Sequence, residues 1–79
     1  MIEKKEKLSE INQEKTVNIV EISTASENKD ELEMIGFVPG TKTQVCQKSP
    51  FSGPLSVTLR GTKIALRRQD AECIYVQYA

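Results

Sequence analysis

With 79 residues, the chain holds one small domain with a thin core, since a chain of this size buries only about 60% of its extended surface. Its eleven basic and eleven acidic side chains cancel, which excludes a global field for DNA, RNA or an anionic membrane. Histidine is absent, and the two cysteines, Cys46 and Cys73, lie far apart outside any C-x-x-C pair. That inventory supplies neither the usual zinc ligand sets nor the commonest general base, so no metal site, cofactor or catalytic residue is assigned.

The opening stretch, "MIEKKEKLSEINQEK", lacks the run of about 7–15 apolar residues that a signal peptide needs. Nor does any stretch offer the run of about 18 apolar residues that spans a bilayer. A cytoplasmic protein without direct membrane insertion is expected. Residues 1–7 read as a flexible charged tail, and 8–79 as the folded domain. In "LSEI", Leu8 and Ile11 stand at i, i+3, enough for one helical turn. "TVNIVEIS" is a strand whose phase changes: Val17 and Ile19 share one face, Val20 and Ile22 the other, as at a bulge.

The one helix lies in "SENKDELEMIG". Asn28 is its cap, with Glu31 three residues on as the answering half of a capping box. Leu32 and Ile35 form the inward pair, and Gly36 supplies the left-handed stop. Pro39 and Gly40 fit the central positions of a type II turn leading into the strand "TKTQVCQK". After the loop "SPFSGP", Leu55, Val57 and Leu59 alternate with polar residues in a strand with one buried face. Gly61-Thr62 fits a two-residue type II′ hairpin, which sets Leu59 opposite Ile64 and Val57 opposite Leu66. "RQDAE" makes a short turn before the last strand, "CIYVQY". Five short antiparallel strands with one small helix hide their edges most simply in a small β-barrel. Its core is assigned to Leu32, Ile35, Val45, Val57, Leu59, Ile64, Leu66 and Ile74.

In order, "LSEI", "IVEI", "LEMIGFVPGTKTQV", "SPFSGPLSVTLRG" and "IALRRQDAECIYV" resemble the FeoA family of bacterial ferrous iron uptake. The resemblance implies an all-β, SH3-like barrel that works by protein contact. The implied partner is the cytosolic G-protein domain of the FeoB membrane permease, which would recruit the chain to the inner face of the membrane. The same fold is similar to the C-terminal domain of iron-dependent repressors of the DtxR type, but this chain has no room for a helix-turn-helix. Where the family often has Pro-Gly after the first helical turn, this sequence has Gln13-Glu14. The residues alone serve a general SH3-like adaptor, or a metal-responsive regulatory module for another cytoplasmic partner, equally well.

Six residues are candidates for partner binding. Arg60, Lys63 and Arg67 lie along the outward face of the hairpin, either as a soluble, edge-protecting face or as a landing patch for carboxylates. Arg60 and Lys63 are expected opposite one another. No aromatic interleaves with these cations, which argues against nucleic acid. Phe51 is either a lid on the barrel end or an anchor held on a proline-stiffened loop. Met34 and Phe37 flank the helix stop as core-edge residues or as an adaptable apolar spot.

Overall fold

The computed structural model describes residues 5–49 and 53–79. One antiparallel sheet of six strands runs through it: β1 (Glu6–Lys7), β2 (Thr16–Ile22), β3 (Lys42–Lys48), β4 (Leu55–Leu59), β5 (Thr62–Leu66) and β6 (Ile74–Tyr78). Their spatial order is β1-β6-β2-β3-β4-β5. Helix α1 (Lys29–Ile35) follows β2, and a four-residue helix, α2 (Arg68–Ala71), replaces the turn expected after β5. The strand count exceeds five because Glu6 and Lys7, assigned to the tail, pair with Val76 and Tyr75. A charged dipeptide at a sheet edge carries no alternation by which to recognise it.

Two bulges let this sheet curl around its contents. In β2 the register with β6 shifts between Ile19 and Glu21, so that Val17, Ile19 and Ile22 all turn inward despite their broken spacing. The phase change in the sequence is this bulge. A second shift, between Val45 and Gln47, bends β3 against β4. One core cluster draws on every strand except β1: Val17, Val45, Val57, Leu66 and Ile74 meet Leu8 and Ile11 from a 3-10 turn (Leu8–Glu10). Thr43 takes a core position too, and its hydroxyl donates to the Thr58 carbonyl at 2.9 Å, so its burial leaves no polar atom unsatisfied.

The expected core needs one correction and one refinement. Ile35 is 49% exposed, and Ile64 is only partly buried at the edge of the cluster. With α1 only two turns long, Leu32 alone reaches the interior.

Candidate partner-binding surface

The hairpin between β4 and β5 turns one residue earlier than its expected form. Leu59 pairs with Thr62, Val57 with Ile64 and Leu55 with Leu66. Arg60 and Gly61 are therefore the two turn residues, and both have positive φ, 53° and 82°. That is a type I′ turn, whose twist matches that of the strands it joins. The expected register was off by two residues, a displacement that preserves which face every side chain takes. Lys63 consequently faces Thr58, and Arg60 sits at the tip rather than opposite it.

At the end of α1 the chain reverses through a Schellman motif. Gly36, at φ 129°, donates to the Glu33 carbonyl at 3.1 Å, and Phe37 donates to the Leu32 carbonyl at 3.0 Å. This motif turns the residue after the glycine back toward the helix. Phe37 is accordingly 0% exposed, in one cluster with Leu32. Of the two readings open for Phe37, core residue or surface spot, its burial supports the first, and it offers no exposed surface to a partner. Met34, on the other side of the same glycine, is 86% exposed. A Cβ built on Gly36 would stand 3.2 Å from Leu59 Cδ2 and 3.9 Å from Arg60 Nε. The missing side chain thus lets the end of α1 close onto the hairpin tip, which brings the Met34–Ile35 pair to the same end of the molecule as Arg60.

Arg67 does not belong to that group. It lies beyond the far end of β5, about 13 Å along the strand from Lys63 at the usual rise. There its Nε donates to Asp70 Oδ2 at 3.2 Å, while Asn28 Nδ2 donates to Asp70 Oδ1 at 3.1 Å. Asp70, largely buried, thereby ties the start of α1 to α2. This overturns the capping box: Asn28 makes no side-chain cap bond, and its Nδ2 donates instead to a carboxylate 42 residues away. Ser26 Oγ instead accepts from the Asn28 N–H at 3.2 Å. A cleft of about 270 Å³ opens beside this tie, lined by Glu27, Gln69 and Cys73 among others. Nothing in the sequence pattern links Asn28 to Asp70, since neither belongs to a motif that predicts the other.

Cys46 and Cys73 are both free and half-buried. Cys46 Sγ lies 2.8 Å from Thr58 Oγ1. Among the described residues no group of three or more cysteine or carboxylate side chains is placed to hold a metal ion. Phe51 lies outside the described residues. Among the same residues, no helix is long and apolar enough to cross a membrane. The surface that remains from the sequence reading is Met34, Arg60 and Lys63, to which the structure adds the exposed Ile35. It joins an apolar spot to a basic rim, the usual anatomy of an interface.

The family model for the FeoA domain matches residues 6–78. The chain belongs to the FeoA family. The FeoA-like protein of Clostridium acetobutylicum is 27% identical to it, with a TM-score of 0.87 over 98% of this chain and 90% of that one. Stenotrophomonas maltophilia FeoA, solved with zinc and described as a procaryotic SH3-domain protein, is also 27% identical. Its TM-score is 0.77, over 89% of this chain and 87% of that one. A manganese-dependent transcriptional repressor, at 20% identity and a TM-score of 0.89, covers all of this chain but only 44% of its own length. That likeness is one of fold alone. A search of curated proteins found no match. Within the FeoA family, then, this chain is an SH3-like barrel with its exposed apolar pair at the helix end.

Proposed function

We propose that this chain is an accessory protein of bacterial ferrous iron uptake, acting by contact with the cytosolic G-protein domain of a FeoB-type permease. Membership of the FeoA family supports the link to iron transport. The Stenotrophomonas protein has been put forward as a ferrous-iron transport activating factor, in keeping with that link. Contact, rather than chemistry, is the mode favoured by the surface. The observation that carries it is Met34: a large apolar side chain 86% exposed, beside an exposed Ile35 and next to a hairpin tip bearing Arg60.

In mechanism, Met34 and Ile35 act as the anchor, because desolvating them on binding returns the free energy that their exposure costs. Arg60 and Lys63 steer a carboxylate-bearing surface into place and set the salt dependence of association. Recruitment by the permease brings the chain to the cytosolic face of the membrane. Calorimetric titration with the permease's cytosolic domain is the test, with Met34→Ala as the decisive variant. Loss of affinity on a folded Met34→Ala background supports the surface. No binding by the unmodified chain discards the reading and leaves an adaptor for a different cytoplasmic partner.

A further inference from the structure

We infer that the outer edge of β5, unpaired among the described residues, is a strand-addition site that takes an extended, acidic segment of a partner protein. The inference rests on the reading of this chain as a partner-binding module and specifies how the partner is held.

β5 ends the sheet, and its one ladder partner among the described residues is β4. The two-residue turn makes Leu59 and Thr62 a mutually hydrogen-bonded pair, and antiparallel ladders alternate. Thr62, Ile64 and Leu66 therefore spend their N–H and C=O groups on β4, while those of Lys63 and Ala65 point away from the sheet. None of the turn and loop backbone bonds among the described residues uses them. The opposite edge, β1, is only two residues long. β5 thus offers a regular row of two donors and two acceptors, on five residues without proline or bulge.

The side chains say what would fit. From Leu55 to Arg67 the hairpin holds cations and no carboxylate. Arg60 and Lys63 are exposed, with no ion-pair partner among the described residues. A strand laid against β5 places its outward residues beside Lys63 and Ala65, and its inward residue beside Ile64. Ile64 is only partly buried at the rim of the core, so an apolar residue there extends the core by one row. The complement is a strand alternating acidic and apolar residues, recognised by main-chain bonds and by alternate side chains. A second copy of β5 is the poorer occupant, because it would bring Arg60 and Lys63 of both copies to one edge.

The test uses the full chain and a synthetic peptide of alternating glutamate and valine, with a lysine–valine peptide as control. By nuclear magnetic resonance, the Lys63 and Ala65 amides should exchange with solvent about tenfold more slowly when the acidic peptide is present, and Lys63→Glu should weaken its binding about tenfold. Ala65→Pro should abolish binding, as it removes an outward N–H without touching the β4 ladder. The exchange measurement on the unaltered chain decides the matter even if that variant fails to fold. Unchanged exchange at those two amides, or equal binding of the lysine peptide, overturns the proposal. So does their protection without peptide in a concentration-dependent dimer, which would make a second copy the occupant. Undiminished binding of the permease domain by folded Ala65→Pro overturns strand addition but not the permease reading. Permease domain that binds no form of the chain overturns that reading and leaves the peptide result standing.

Discussion

Met34 and Phe37 stand on either side of one glycine, and their fates are opposite: 86% exposed against fully buried. Hydropathy does not separate them. What does is the hydrogen-bond pattern of the helix end, which turns the residue after Gly36 inward and leaves the last helical turn pointing out. Burial here is decided by backbone reversal, and the same reversal sets an apolar residue free for a partner.

The contrast can be broken by mutation. The largest expected effect is that of Phe37→Ala, which should cost about 3–5 kcal/mol, as for other buried aromatics truncated in a core. A urea titration followed by circular dichroism measures it; a loss below about 1 kcal/mol would mean that Phe37 is not fixed in the core. Next comes Gly36→Ala, at the upper end of the 1–3 kcal/mol typical of a strained backbone position. Its φ of 129° is foreign to a side chain, and the added Cβ meets Leu59 Cδ2 at 3.2 Å. Gly61→Ala sharpens this value. Gly61 also has positive φ, but nothing lies within 4 Å of its Cβ position. It should cost about 1 kcal/mol, the backbone share alone. Equal midpoints for the two glycine variants would show that the contact with Leu59 relaxes freely. The smallest effect on stability belongs to Met34→Ala, within about 0.5 kcal/mol. The same truncation should cost about 2 kcal/mol or more in affinity for the permease domain.

Much of the fold was legible because local chemistry and hydrophobic phase agreed. The break in phase at Val20 located the β2 bulge, Pro39-Gly40 its turn, with Gly40 at φ 90° and the Thr41 N–H on the Val38 carbonyl, and Gly36 the helix stop. The β4–β5 register was misplaced for a physical reason. Alternation fixes a strand only modulo two, so Leu59 opposite Ile64 and Leu59 opposite Thr62 bury the same set. Turn chemistry had to break the tie, and it required Arg60 to accept a positive φ that arginine rarely adopts. Phe37 carried a usable signal, since an apolar residue directly after a stop glycine commonly packs on the last turn of its helix. The tie of Asn28 to Asp70 carried none, because it depends on a tertiary encounter. For the candidate surface, the sequence placed Arg60 and Lys63 outside, as they are, left Met34 between core edge and surface, and grouped Arg67 with them although it lies at the opposite end of β5.

The place of β6 in the sheet has a consequence for synthesis. Ile74–Tyr78 come late in the sequence yet lie between β1 and β2, bonded to both. A nascent chain that ends before Ile74 leaves β2 with a bare edge and β1 with nothing to pair with. The hairpin and the helix can form while the ribosome is still at work, but the barrel cannot close on any such prefix. Until then Val17 and Ile19, which β6 helps to bury, stay open to water and to other nascent chains. The step that completes this fold therefore waits until β6 has left the exit tunnel.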